Sequence, residues 1–580
     1  MQAATNPNET LRKRLPIIIV GMVLFSLYLL WQVASFQWLS PQVRTYMSTL
    51  ADANYTRTLE LAAARGLIYD RNGEVMAVNT LEYEIGISPN LVTDARRLST
   101  SLAPALGRSE IDLFEQVTSN RPWVQLARPV SAQVAQEVTS LNLEGITIDP
   151  IPRRSYPQGT LAAQLLGFVN LDLVGHYGVE GYYQDQMAGQ IRERYLSNIP
   201  FDLPQGGWEE DHGRDIILTI DRDVQFLVES ELLAAINSTG AKSGTIIVMD
   251  PRNGEILALA NNPSFDPNNF FDIDNPSILQ NPAISAQFEP GSIMKVMTVA
   301  SALESGAINP QWTYYDEAAI NVGGVTIRNW DRAAHGNVDV TQVLVQSLNV
   351  GASTISLAMG PTAFYDMMDK FGFGRPTGID LEGEASGTLY VPGDEHWSES
   401  MLGTNAFGQG VAVTPLQLVN AINAVANGGL MMQPHVVREI RDGDRLYVSQ
   451  PSSLGRPISP ETARVVTEMM VATVRDGIDQ AQVDGYTIAG KSGTAEIPSP
   501  VGYESNAWIM TFAGFLPADD PQLVIFIKLD RPTSGNWASQ VAAPVFQHLA
   551  ERLVVLLEIP PDDIRHALAA QGGAVNAIHR

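Results

Sequence analysis

Apolar and polar positions divide the chain into stretches of different texture. Leu15 to Phe36 is a run of 22 residues without a charge. As a helix it would span about 33 Å, enough to cross a bilayer. Residues 41–215 are mixed and polar-rich. Within them Ile68 to Val78 alternates like a hairpin with Asn72-Gly73 at the turn. Asp94–Leu102, Ser109–Thr118 and Ser131–Leu141 carry helical periodicity, and Pro104 is expected to close the first of these. Pro152-Arg153-Arg154-Ser155-Tyr156-Pro157 reads as a rigid, cationic segment. From Asp215 apolar density rises. Ile216–Ile220 predicts a strand, and Asp221 predicts the cap of a helix reaching about Ile236. Thr245–Asp250 and Glu255–Ala260 predict a hairpin, and 280–480 reads as helical and loop-rich. Ala507–Leu516 and Leu523–Leu529 predict two strands, followed by a helix from Ser539 to about Leu557. Strands at both ends with helices between them imply an α+β domain whose sheet is completed by sequence-distant strands. The expected division is a tail at 1–14, an anchor at 15–37, a non-catalytic domain at 41–215, a catalytic domain at 216–557, and a short ragged tail at 558–580 after Pro560-Pro561.

Charge fixes the expected orientation of the anchor. Arg12-Lys13-Arg14 precede the apolar run and the next charge is Arg44. An excess of positive charge on that side places the N-terminus in the cytoplasm and the rest of the chain outside. Trp31 and Trp38 suit the far interface. A cleaved signal peptide is the rival reading. Against it, Val33-Ala34-Ser35 is a poor cleavage site, and the run is longer than the roughly 7–15 residues of a signal core. The net charge of −26 argues against nucleic acid as a partner. Cysteine is absent, which excludes disulfides, a thiolate nucleophile and cysteine-ligated metal. Glu209-Glu210-Asp211-His212 could ligate a metal, but beside Gly206 and Gly207 it reads as a solvated loop.

The chemistry centres on Ser292. Pro290 and Gly291 break the backbone just before it, and an apolar helical run begins there. Lys295 lies three residues on, on the same helix face. An amine held against a hydroxyl in an apolar site loses pKa and can take its proton. Ser-x-x-Lys alone is more often a capping serine with a solvated lysine, so partners are needed. Ser347-Leu348-Asn349 is one. On a loop or strand both polar side chains would point to one side, the hydroxyl relaying a proton and the amide holding a peptide carbonyl. Lys491-Ser492-Gly493-Thr494 is the other, an expected edge strand with small residues and a cation. There Lys491 could attract a carboxylate, with the Ser492 and Thr494 hydroxyls hydrogen-bonding it. The Thr494 and Ser292 backbone N–H groups could form an oxyanion hole. Lys242-Ser243-Gly244-Thr245 repeats the same tetrapeptide but precedes Ser292. It is read as a loop-to-strand entry.

The triple Ser292-x-x-Lys295, Ser347-x-Asn349 and Lys491-Ser492-Gly493-Thr494 resembles the penicillin-binding protein and serine β-lactamase superfamily. Arg65 to Gly73 and Gly178 to Tyr183 look like boxes of the pedestal domain of class B penicillin-binding proteins. Gly408-Gln409-Gly410, Thr414-Pro415-Leu416-Gln417 and Ala542-Ala543-Pro544-Val545-Phe546 also fit. The resemblance implies a pedestal and a transpeptidase domain with a central antiparallel sheet flanked by helices. It implies D,D-transpeptidation of peptidoglycan stem peptides through a Ser292 acyl-enzyme. Lys295 would be the base, and Ser347 and Asn349 would serve proton relay and substrate holding. Lys491, Ser492, Gly493 and Thr494 would form the carboxylate-binding strand. β-Lactams would acylate the same serine, and no metal or cofactor is implied. The implied partners are the bilayer, a SEDS-family glycosyltransferase and division proteins. Lys528-Leu529-Asp530-Arg531-Pro532 looks more like division-type than elongation-type members, whereas Ser492 stands where many division-type members have threonine. An elongation-type enzyme, a D,D-carboxypeptidase and a β-lactam sensor stay as alternatives. The charged Arg65–Gly73 hairpin is a plausible docking surface for the glycosyltransferase; alternatively Arg65, Asp70 and Arg71 hold the two domains together.

Overall fold

The computed structural model describes residues 7–34, 56–61, 64–189, 192–197, 212–499 and 502–570. Residues 35–37 of the expected anchor and Glu209, Glu210 and Asp211 of the acidic cluster lie outside these. Two compact units divide the chain: Met1–Ala63 with Gln190–Asp211, and Ala64–Gly189 with His212–Arg580. The first holds the helix Pro7–Ala34, whose segment Pro16–Ala34 is long and apolar enough to span a membrane. It also holds the strands Thr56–Leu61 and Arg192–Ser197, which pair antiparallel with Thr56 opposite Ser197.

The second unit is built on a five-stranded antiparallel sheet. Its order is Ile256–Asn262, Ser243–Met249, Leu523–Asp530, Gly502–Leu516 and Ala489–Ser499. The sequence-distant strands meet in the middle, as the apolar runs imply. Alternation assigns the faces. Ile246, Val248, Ile525 and Ile527 pack with Val224, Leu227, Phe546 and Leu549 of the helices Arg222–Thr239 and Ala538–Leu556. Ile247, Met249, Val524 and Phe526 join the opposite core with Met294 and Leu418. Each such fully buried aliphatic side chain stabilises the fold by about 1.5–3 kcal/mol. Asp221 caps the helix Arg222–Thr239 by accepting from Asp223 and Val224 N–H, as expected.

A second sheet crosses the sequence boundary near residue 215. Its order is Arg445–Val448, Val437–Asp442, Asp215–Leu218, Ile68–Tyr69, Val75–Ile87 and Val124–Val130, with Ile146–Ser155 also pairing to Val75–Ile87. Asp215–Leu218 runs parallel to Ile68–Tyr69 on one side and antiparallel to Val437–Asp442 on the other. Beyond it a small core of Ile85, Ile87, Leu98, Leu102, Leu113, Val117, Leu126 and Val138 packs the helices Ala95–Leu106, Glu110–Val117 and Ala132–Ser140 on strands.

Arg65 and Asp70 of the charged Arg65–Gly73 box are buried. Arg65 Nε donates to Glu180 Oε2 at 2.6 Å, and Arg154 Nε donates to Glu180 Oε1 at 2.7 Å. Glu180 is fully buried. Asp70, also buried, accepts Asn72 and Glu74 N–H at the hairpin turn and Arg222 N–H at 3.1 Å. Arg71 pairs with Glu255 at 3.3 Å. Asp70 and Arg71 join the two sequence regions, whereas Arg65, Arg154 and Glu180 tie the first region to itself, and only the Asn72-Gly73 tip of the box is exposed. A further tie is Tyr183 Oη, which donates to Asp380 at 2.9 Å.

Two local expectations, at Pro104 and in the tail, are corrected, and one is made more specific. Pro104 does not close its helix: Ala95–Leu106 carries it inside the last turns and ends at Gly107, φ 63°, whose N–H bonds the Ala103 and Pro104 carbonyls. The segment around Arg153 continues a strand, with Val78–Ile87 paired to Ser155–Ile146. The tail is not ragged throughout. Asp562–Ala570 is a helix, and Arg565, 5% exposed, reaches Asp562 at 2.7 Å and also bonds Asp519.

Candidate active site

The turn Gly291–Ile293 leads into the helix Met294–Glu304, whose first turns are buried on all sides. The approach to Ser292 is zipped to residues 408–413. Phe288 and Val413 exchange backbone hydrogen bonds, Gly291 N–H donates to Gly408 O at 3.3 Å, and Gly410 N–H donates to Glu289 Oε1 at 2.8 Å. A Cβ on Gly408, at φ 86°, would lie 2.3 Å from Gly291 O, so only glycine permits this approach. Burial raises the Glu289 pKa, opposed by its bonds from Gly410 N–H and Tyr503 Oη.

Lys295 is 0% exposed. Its Nζ lies 3.1 Å from Ser292 Oγ, 2.6 Å from Ser347 O and 3.1 Å from Ser347 Oγ. Burial pushes this amine well below the ordinary lysine range, and the nearby Lys491 charge pushes the same way. Lys491 is 1% exposed. Its Nζ is 3.2 Å from Ser347 Oγ and 3.1 Å from Ser492 O, and burial lowers its pKa to about 7. Two desolvated amines therefore converge on one hydroxyl, with the Ser292 hydroxyl one contact away.

Ser347 is on a loop, one of the two expected settings, whereas Asn349 is not. Ser347 lies in a tight turn, at φ 57°, between the helices Val340–Val345 and Asn349–Lys370, and Asn349 opens the second helix instead of lying on the loop. The left-handed residue turns the chain so that Ser347 and Asn349 both line the cleft. Asn349 Nδ2 already donates to Arg328 O at 3.1 Å, which leaves its other N–H for a ligand. Lys491, Ser492, Gly493 and Thr494 lie on Ala489–Ser499, at the edge of the five-stranded sheet. A Cβ on Gly493 would come within 3.0 Å of Pro290 O, and one on Gly291 within 3.2 Å of Thr494 O. The edge backbone thus runs against the Ser292 turn. The Thr494 hydroxyl accepts Ala538 N–H at 3.1 Å. Lys242 is exposed and leads into the strand Ser243–Met249, second in the five-stranded sheet and outside the cleft.

The cleft has a volume of about 340 Å³. Besides the expected residues, Trp330, Gln409 and Trp537 line it. The two indoles meet edge-on at 5.0 Å. Sequence reasoning missed both as site residues, because nothing in their local spacing links positions 207 residues apart. It also gave no role to Glu289, which does not line the cleft but accepts Gly410 N–H and so ties down the approach to Ser292. Among the described residues no group of histidines and carboxylates is placed to hold a metal ion.

Comparisons with known proteins identify the family. Residues 244–551 match the family described as penicillin binding protein transpeptidase domain, and residues 60–197 match the penicillin-binding protein dimerisation domain. The chain is 32% identical over 562 residues to peptidoglycan D,D-transpeptidase FtsI of Escherichia coli K12, covering 94% of this chain and 92% of that protein. It is 31% identical over 569 residues to stage V sporulation protein D of Bacillus subtilis, covering 96% and 87%. Among solved structures, penicillin binding protein 3 of Mycobacterium tuberculosis in complex with aztreonam shares 29% identity and a TM-score of 0.67, covering 86% of this chain and 97% of that one.

Proposed function

Since the chain belongs to the class B penicillin-binding proteins, the membrane-anchored serine D,D-transpeptidases that cross-link peptidoglycan, we propose that Ser292 is its acylated nucleophile and Lys295 the base that activates it. The observation carrying this reading is the fully buried Lys295 amine 3.1 Å from Ser292 Oγ, bonded to hydroxyls and a carbonyl rather than to a carboxylate. A lysine so placed is held neutral and can accept a proton. Ser292 Oγ attacks the carbonyl of the penultimate D-alanine of a stem peptide, and its proton passes to Lys295 Nζ. The oxyanion sits at the backbone N–H groups of Ser292 and Thr494. Ser347 Oγ, between Lys295 and Lys491, hands a proton to the departing D-alanine amine. Asn349 holds a peptide carbonyl of the donor. Lys491, with the hydroxyls of Ser492 and Thr494 beside Gly493, receives the terminal carboxylate. An amine from a neighbouring stem then attacks the acyl-enzyme and the same relay runs in reverse. A β-lactam presents the same carbonyl and carboxylate, so it acylates Ser292.

The proposed cellular role is septal, supported by the FtsI-like relatives and the Lys528–Pro532 segment. A polytopic SEDS-family glycosyltransferase and division proteins are the proposed partners. With Arg65 and Asp70 buried, the surface offered to them is the outer part of the pedestal, where Ile111 is 72% exposed beside Glu110, Asp112 and Glu115. The proposed orientation has the N-terminus in the cytoplasm and the catalytic unit outside, following Arg12-Lys13-Arg14. The chemical reading is tested by labelling with fluorescent penicillin and mapping the modified peptide. The label is expected on Ser292 and absent from Ser292→Ala; label retained in that variant would move the nucleophile elsewhere.

A further inference from the structure

The segment that follows the strand Val325–Arg328 grips the Ser347 turn from outside. Trp330 Nε1 donates to Gln346 O at 3.0 Å, Asn349 Nδ2 donates to Arg328 O at 3.1 Å, and Val350 N–H donates to Asn329 Oδ1 at 3.1 Å. These bonds clamp the residue before Ser347 and the two residues that open the following helix. Ser347 itself holds φ 57°, a conformation that non-glycine residues keep only when their surroundings impose it. Leu348 offers that helix no side-chain cap, so Asn329 caps it from a different part of the chain.

Asn329 has little freedom to do otherwise. It is 2% exposed, and its Nδ2 donates to Asp316 Oδ2 at 2.8 Å. Asp316 is fully buried and also accepts His335 N–H at 3.0 Å. A carboxylate only accepts, so it fixes which side of the Asn329 amide faces it and leaves the amide oxygen for Val350 N–H. We propose that Asn329, oriented by Asp316, is a positioning residue that holds the Ser347 hydroxyl between Lys295 and Lys491. This rests on the reading of Ser347 as the proton relay.

A double-mutant cycle on the full chain in detergent tests it, with fluorescent penicillin as the probe. Asn329→Ala is expected to lower the limiting acylation rate constant about tenfold or more, since small misplacements of a reacting group have effects of this size. The apparent Kd of the non-covalent complex should stay within about twofold, as expected when only the chemical step is touched. In a Ser347→Ala background the same substitution should change the rate by less than about twofold, because nothing remains to be positioned. Equal losses in both backgrounds, or no loss beside a slow Ser347→Ala, would overturn the proposal. Ser347→Ala acylating at the parent rate would remove the relay itself, and this inference with it. Where Asn329→Ala does not fold, Trp330→Phe enters the same cycle, since it keeps a ring at an exposed position and drops the donor to Gln346.

Discussion

Replacing Lys491 by methionine keeps an unbranched apolar stem and removes the amine. The side chain is 1% exposed, so its packing is retained while the charge facing Ser347 is lost. A charge-assisted hydrogen bond to a ligand carboxylate contributes about 1.5–3 kcal/mol, which at about 1.4 kcal/mol per decade is a 10- to 150-fold loss in acylation efficiency. The pH dependence sharpens the test. With a pKa of about 7, Lys491 in the free enzyme is charged in about nine-tenths of molecules at pH 6 and about one-tenth at pH 8. The parent's second-order acylation rate with a carboxylate-bearing penicillin should therefore fall about tenfold over that interval. The methionine variant should lack this fall, so the two rates converge at high pH. A second sign follows from Lys295, whose pKa is lowered first by burial and then by the Lys491 charge. Removing that charge lifts the Lys295 pKa. The base is active only when neutral, so the variant's acid limb should move to higher pH. Rates are read by stopped-flow fluorescence from pH 5 to 9, with thermal melting to confirm folding and Lys242→Ala as a control expected to match the parent. Parent-like rates in Lys491→Met, or an unchanged alkaline fall, would refute the assignment.

Glu180→Gln leaves the buried Arg65 and Arg154 guanidinium groups without a counter-charge, which should destabilise the folded unit by about 3–5 kcal/mol; a melting temperature equal to the parent's would contradict this. Depletion of the protein should give filamentous cells if its role is septal, and rounded cells would place it in elongation. Charge reversal at Glu110, Asp112 and Glu115 should reduce co-purification with a polytopic glycosyltransferase while penicillin acylation stays intact, and unchanged co-purification would redirect the search for that surface. The chain has no cysteine, so Ser40→Cys gives a single thiol; labelling of intact cells or spheroplasts by a membrane-impermeant maleimide supports the proposed orientation, and labelling only after lysis reverses it.

That the candidate residues come together was legible because the chemistry proposed for them needs fixed spacings. The proposed roles require Ser292 and Lys295 to share one helix face, and Lys491 to Thr494 to lie on a sheet edge. Those constraints are local and survive in sequence. Where neighbours decide, sequence reading falls short. Pro104 lacks only one N–H and sits close to the end of its helix, so Gly107 and not the proline sets the stop. Pro560-Pro561 was taken for a break, yet proline suits the start of a helix, and Asp562–Ala570 follows directly. The Arg65 box looked like a surface because it is charged; only the fold brings Glu180 115 residues away to bury it. Asn329 and Trp330 carry no motif of their own, and their role depends on a turn that begins 16 residues later.

The sheet that crosses residue 215 has a consequence for how such chains can be recombined. Asp215–Leu218 is hydrogen-bonded to Ile68–Tyr69 on one side and Val437–Asp442 on the other. A chimera spliced at 215/216 therefore cuts through the interior of a sheet, not a linker. The grafted pedestal would have to match the host's strand register and supply partners for Arg222 and Glu255 as well as its own Glu180. Exchange between homologues is compatible with this fold when residues 64–189 travel together with the strand 215–218 and its neighbour 437–442. Residues 64–189 and 212–570 thus form one compact unit, even though family boundaries divide the chain in two.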